Sequence, residues 1–278
     1  MNDTLQAMTD DRLVFDRPPL RAKRCRHGMM LYLATDQYVG GSLDRYGEFS
    51  EAEAALFAQI VKPGMTVLDL GANMGAHTIC FAQAVGAGGR VIAFEPQRII
   101  HQILCANVML NVLPNVFAHQ ACIGCQAGTV LVPPLNYGAV NNFGGLALGA
   151  FTAGESVPQV TLDSLAFDQC HFVKIDVEGM EVEALEGGRA TLARHRPVLY
   201  VENDRPEKSA ALITLLFDLG YRLYWHLPPL FNPANFFGAQ ENVFGNTVSV
   251  NMIGVPNSTN IALTGFREIT SPADQWRA

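Results

Sequence analysis

Residues 66–70 (Thr-Val-Leu-Asp-Leu) form a short apolar run that ends on Gly71-Ala72-Asn73-Met74-Gly75, and a helical pattern then runs over 76–85. A strand that passes through a tight glycine turn into a helix belongs to alternating α/β architectures, because parallel strands need helical crossovers. Gly71 lets the chain turn sharply, and the small residues beside it let a ligand approach the backbone. In open α/β sheets such ligands sit beyond the carboxyl ends of the strands, where the strand order reverses. The pattern recurs downstream. Strands are predicted at 90–94, 115–123, 172–175, 198–201, 221–226 and 248–255, and helices at 99–110, 180–195 and 207–219. The last connection lacks a crossover helix, so the seventh strand is expected to pair antiparallel. The fold class is therefore α/β, a seven-stranded, mostly parallel, Rossmann-like sheet with helices on both faces.

Upstream, residues 1–27 are polar with a break at Pro18-Pro19, and 29–39 are apolar and β-prone. Residues 1–48 read as an N-terminal arm or lead-in, and 49–278 as the catalytic domain. Ser50 and Glu53 have capping-box spacing at the head of a helix whose Leu56, Phe57, Ile60 and Val61 share one face. Residues 124–158, rich in Gly, Pro and Asn, predict loops with short edge strands. Between 226 and 247, Phe231, Phe236, Phe237 and Phe244 lie among Pro, Asn and Gly, which suits either an acceptor face or a loop cover.

Composition narrows the function. With 49% hydrophobic residues the chain can fill one sizeable core, yet no apolar stretch nears the ~20 residues of a membrane helix. The first twelve residues carry neither region of a signal peptide, so a cytoplasmic protein is expected. The formal net charge of −7 opposes polyanion binding, and Arg21, Lys23, Arg24 and Arg26 read as a solvated face; no nucleic-acid partner is expected. Cys122 and Cys125 form a C-x-x-C pair without a second pair at zinc spacing, and read as structural.

Three strand ends carry the chemistry. Asp69, ahead of Gly71 and Gly75, is placed to accept hydrogen bonds where the amino acid end of a cofactor would lie. Phe94-Glu95-Pro96 ends the next strand, with Glu95 about two dozen residues after Gly71, where a carboxylate accepts bonds from both ribose hydroxyls. NAD and S-adenosylmethionine both satisfy that carboxylate. The turn lacks the G-x-G-x-x-G phosphate cradle a dinucleotide needs, which favours the phosphate-free sulfonium donor, S-adenosylmethionine, over an NAD-dependent oxidoreductase. At 174–179, Lys-Ile-Asp-Val-Glu-Gly brings Asp176 and Glu178 to the same crevice, to position an acceptor or to take a proton from a hydroxyl. Glu202-Asn203 ends the adjacent strand, and Glu202 is a further candidate; His226 is a weaker one.

Taken jointly, residues 69–78, 94–96 and 174–179 resemble the FkbM family of methyltransferases. Asn107, Asn111, Leu162-Asp163, Leu185 with Gly187-Gly188, and Arg196-Pro197 support the resemblance. It implies a class I methyltransferase fold and, commonly, O-methylation of hydroxyls on natural products or sugars. By the same resemblance Asn73 and Thr78 join Asp69, Gly71, Gly75, Glu95 and Pro96 as donor-binding residues. The segment Tyr46-Gly47-Glu48 is similar to the family's lead-in, either a helix-entry turn or a cover for the cofactor. His77 departs from the family, where tyrosine is frequent. In catechol-type methyltransferases, which share this fold, carboxylate and amide groups at the ends of strands four and five hold magnesium. Asp176 with Glu202-Asn203 makes a divalent metal an alternative here, although no metal ligand is assigned.

Overall fold

The computed structural model describes residues 12–149, 151–260 and 263–276; residues 1–11, part of the expected lead-in, lie outside them. The chain opens with an antiparallel meander, β1 (Leu13–Arg17), β2 (Leu20–Cys25) and β3 (Gly28–Leu33), followed by helices α1 (Val39–Tyr46) and α2 (Glu51–Ile60). The alternating core then begins with β4 (Thr66–Leu70), α3 (Ala76–Val85), β5 (Arg90–Phe94), α4 (Arg98–Leu110) and β6 (Val116–His119). A small side sheet follows, built from β7 (Cys122–Ile123), β8 (Gly128–Val132) and β9 (Glu155–Val160). The chain returns to the core with β10 (Phe172–Ile175), α5 (Glu181–Glu186), α6 (Arg189–His195), β11 (Val198–Glu202), α7 (Pro206–Asp218), β12 (Tyr221–His226), β13 (Asn251–Pro256) and β14 (Arg267–Ile269).

The main sheet has the order β14-β12-β13-β11-β10-β4-β5-β6. Pairings β11/β10, β10/β4, β4/β5 and β5/β6 are parallel, whereas β13 runs antiparallel to both β11 and β12. The seven expected core strands are present, and short β14 adds an antiparallel edge beside β12. From β4 the chain proceeds outward through β5 and β6, then returns to β10 on the other side. The switch point therefore lies between the carboxyl ends of β4 and β10.

Every residue of β4 is buried, as befits a central parallel strand covered on both faces. Side chains alternate between two cores. On one face Phe57 of α2 and Phe81 of α3 pack edge-on against Phe172 and Tyr200. On the other, Leu185, Leu192, Leu212 and Leu216 of α5–α7 pack against Val173, Leu199 and Leu223.

Four local expectations are corrected. Residues 115–123 are two strands in different sheets, β6 and β7, separated at Gln120-Ala121. The helix expected at 180–195 breaks into α5 and α6, because Asp163 caps a fresh helix start by accepting from Ala190 N (3.0 Å) and Thr191 N (2.7 Å). Between 39 and 46 a helix forms despite Gly40-Gly41, since buried Asp36 accepts from Gly40 N at 2.8 Å. Within the polar stretch that suggests an arm, Leu13–Arg17 and Leu20–Cys25 instead pair with Gly28–Leu33 into the meander, which buries Ala22, Cys25, Met30 and Tyr32.

Fully buried Asn107 joins the meander to the core. Its Oδ1 accepts from Leu31 N (2.6 Å), and its Nδ2 donates to Leu31 O (2.9 Å) and to Met74 O in the glycine turn (2.7 Å). Asn107→Ala would leave those buried backbone groups unpaired, so urea unfolding should show a loss of about 2–3 kcal/mol.

Candidate active site at the carboxyl ends of the strands

The glycine turn is stitched to the end of β5. Phe94 O accepts from both Gly71 N (3.0 Å) and Ala72 N (2.9 Å). Glu95 then accepts from Asn73 N through Oε2 (3.0 Å) and from Gln97 N through Oε1 (2.8 Å). Gly71 has φ of 79°, and a Cβ there would collide with the carbonyl oxygen of Asp176, so only glycine fits between β4 and β10. Asn73 also holds a left-handed conformation (φ 50°), and its own Oδ1 accepts from Met74 N at 2.7 Å.

A cavity of about 330 Å³ opens above this turn. Of the expected donor-binding residues, Gly71, Asn73, Glu95 and Pro96 line it, as do Asp176, Glu178 and Glu202 of the expected catalytic set. Asp69, Gly75 and Thr78 do not line it. Asp69 is fully buried under the turn, accepts from Thr78 Oγ1 at 2.6 Å, and has its other oxygen 3.7 Å from Lys174 Nζ. Gly75 sits at the head of α3 against Leu104. These three residues brace the turn from beneath.

On the far wall, Lys174 Nζ donates to Asp176 Oδ2 (2.9 Å) and to Gly71 O (3.4 Å), tying the two strand ends together. The neighbouring anions hold this buried ammonium charged, with a pKa above the ordinary lysine value despite burial. Glu178, at φ of 57°, accepts from Arg205 Nη2 at 2.8 Å. Burial first, then the charge of Asp176, pushes its carboxyl up to about 8. Glu202 is raised well above the ordinary range by burial and by Asp176 and Glu178, and its Oε2 has no hydrogen-bond partner among the described residues. One carboxylate oxygen from each of Asp176, Glu178 and Glu202 falls within 4.8 Å of the others. Asn203 does not join them, because its amide is buried against Ser209 Oγ (2.9 Å) and Met252 Sδ.

Several lining residues were not singled out from sequence, among them Glu53, Gln97, Lys174 and Asn251. Glu53 does not form a capping box. Ser50 caps nothing with its side chain, and Glu53 turns inward to accept from Asn251 Nδ2 at 2.9 Å. The available signal was its position, one turn before Leu56 and Phe57 on the apolar face. The four loop phenylalanines do not line the cavity. Phe231 and Phe244 pack on Tyr46, Phe244 stacks on Tyr38, and Phe237 lies under Arg12 and Lys23. Glu48 of the lead-in anchors this loop, accepting from Asn232 Nδ2 (2.7 Å) and Phe236 N (2.8 Å). His226 also lies outside the cavity, bonded to Tyr200 OH at 2.7 Å and pushed down to about 4 by burial. All six cysteines are free, and Cys122, raised to about 12 by burial, is an unreactive wall residue.

The strand order, the switch-point cavity and a carboxylate at the end of the second core strand define a class I methyltransferase architecture. The methyltransferase FkbM domain matches residues 69–223, more than half of the chain, and the chain belongs to that family. No curated protein matches the sequence significantly. Among solved structures, a methyltransferase FkbM from Methylobacillus flagellatus KT is 18% identical, with a TM-score of 0.47 over 73% of this chain and 50% of that one. The chain thus spans half the length of that protein. Fibrillarin from Aeropyrum pernix, in complex with natively bound S-adenosyl-L-methionine, is 14% identical with a TM-score of 0.45, over 87% of this chain and 99% of that one.

The class takes its methyl group from S-adenosylmethionine, and the cavity fits that molecule. Glu95 keeps lone pairs available toward the cavity after bonding Asn73 and Gln97. Among the described residues, six carboxylates (Glu53, Glu95, Asp176, Glu178, Glu202 and Asp204) line the cavity against one lysine, Lys174. Burial keeps several of them partly protonated, yet a bound cation would favour their ionised form, so the lining suits a cationic sulfonium better than a pyrophosphate.

Burial raises Glu95 from 4.5 to about 7. A native-state pKa raised in this way gives stability that is present below 4.5 and lost as pH rises through 7. The stability of Glu95→Gln relative to wild type should therefore improve between pH 5 and pH 8 in the ligand-free protein, as read by urea unfolding at each pH.

Proposed function

We propose that this chain is an S-adenosylmethionine-dependent O-methyltransferase whose acceptor is a hydroxyl, on a sugar or glycan or on a secondary metabolite. The observation that carries the reading is the pairing of two walls in one cavity. Glu95 marks a nucleoside at the end of β5, and Asp176, Glu178 and Glu202 gather at the ends of β10 and β11. When bound, the donor supplies an electrophilic methyl, whose bond to sulfur breaks as the oxygen–carbon bond forms.

The chain's own task is alignment, exclusion of water and removal of the hydroxyl proton. Asp176, half-exposed and oriented by Lys174, is assigned to hold the acceptor hydroxyl and take its proton. Glu178 and Glu202 flank it and are assigned to further hydroxyls of a polyhydroxylated acceptor. Tyr38, Leu230 and residues 247–251 form the remaining rim.

A second reading uses a metal ion. The three clustered carboxylates offer hard oxygen ligands of the kind magnesium or calcium takes, and a cation there would acidify the hydroxyl. Exhaustive EDTA treatment separates the two readings. Undiminished transfer excludes the metal, whereas loss restored by magnesium establishes it.

With purified chain and methyl-labelled donor, Asp176→Asn should lower kcat about a hundredfold or more while leaving S-adenosylhomocysteine binding in place. Unchanged turnover in both Asp176→Asn and Glu178→Gln would overturn these assignments. Simple glycosides should be methylated faster than small phenols, and the reverse order would remove the sugar as acceptor class.

A further inference from the structure

Glu53 is a buried, cavity-lining carboxylate that the proposed transfer leaves without a role. It is only 4% exposed, on the apolar face of α2, where an ionised acid is costly. Burial pushes it up to about 7 even with the Lys174 charge nearby. Its neighbours on every side are neutral or already engaged. Asn251 of β13 donates to Oε1 at 2.9 Å, and Ser50 and Tyr200 present hydroxyls. His77 Nε2 of α3 lies 3.3 Å from Oε2 without forming a hydrogen bond, and burial holds this imidazole well below its usual pKa, so it is neutral. The ammonium of Lys174 is bonded to Asp176 and sits 3.7 Å from Asp69.

Position completes the picture. Gly71, Ala72 and Asn73 of the turn, with Ala76 and His77 at the start of α3, form the cavity floor between two carboxylates. Glu95 grips that floor at Asn73, and Glu53 faces it at His77. A methyl donor whose ribose was held by Glu95 would extend its amino acid end over this floor, on the side where His77 and Glu53 lie. The geometry points to Glu53 as the carboxylate that receives the α-ammonium of the methyl donor. This assignment rests on the donor reading above. It explains why an acid without a cationic partner of its own is kept on an apolar face: the ligand brings the cation. The charge-assisted bond then favours the ionised form that burial disfavours.

Titration calorimetry on the full chain tests this with two probes. S-adenosylhomocysteine carries the amino acid end, and 5′-methylthioadenosine lacks it. Glu53→Gln should weaken S-adenosylhomocysteine roughly ten- to a hundredfold and leave 5′-methylthioadenosine unchanged. Glu95→Gln should weaken both. Asn251→Ala, which frees the carboxylate without removing it, should give a smaller loss confined to S-adenosylhomocysteine, and it decides the matter if Glu53→Gln does not fold. Equal losses for both probes, or none, in the folded variants would overturn the role of Glu53 while leaving the donor site intact. If the wild-type chain binds neither probe, the donor reading fails and Glu53 falls with it.

Discussion

The site depends on a single carbonyl. Phe94 O takes hydrogen bonds from both Gly71 N and Ala72 N, so the end of β5 fixes the turn that leaves β4. Because the next residue is Glu95, the same chain segment that positions the turn also presents the carboxylate above it. Lys174 secures the opposite side, bonding Gly71 O and Asp176 at once. Three neighbouring strand ends are thus locked in register before any ligand arrives, as a preorganised site requires. Asp69 and Thr78 serve this framework from below.

Much of the core was legible in the sequence because its signals are local. The strands at 66–70, 90–94, 172–175 and 221–226 and the helix at 76–85 occur where apolar period and turn residues put them. What the sequence hid was set by contacts far along the chain. The break before α6 depends on Asp163, some twenty-seven residues away, and the Asp36 that starts the helix at 39–46 is itself held by Phe143 N, 107 positions on. The first two strands of the meander look polar because only Ala22 and Cys25 of them are buried.

The site followed the same division. Motif residues at strand ends could be placed, since a strand's direction dictates where its last side chain lies. Whether a motif residue faces the cavity or the core could not: Asp69 and Glu95 both follow apolar strand residues, yet only Glu95 lines the cavity. Glu53 was hidden by a plausible local explanation, the capping box, which the contact with Asn251, 198 positions away, overrides. The phenylalanines of the 226–247 loop were ambiguous for a related reason. An aromatic ring suits a ligand or a neighbouring ring equally, and here Tyr38 and Tyr46 supply the neighbours.

Glu48 has a consequence for how the protein comes into being. It accepts from Arg26 in the meander region and from Asn232 and Phe236, so one buried carboxylate gathers both ends of the chain. Asn232 is 184 residues further on, and during synthesis it emerges after six of the eight strands of the main sheet have left the ribosome. Until then Arg26 has only Glu48 and, at 3.6 Å, Glu51 as ionic partners among the described residues. The rim that joins the lead-in to the late loop therefore forms late, shortly before β13 arrives to fill the place between β11 and β12. Truncation late in the chain would leave the earliest-made residues unfinished.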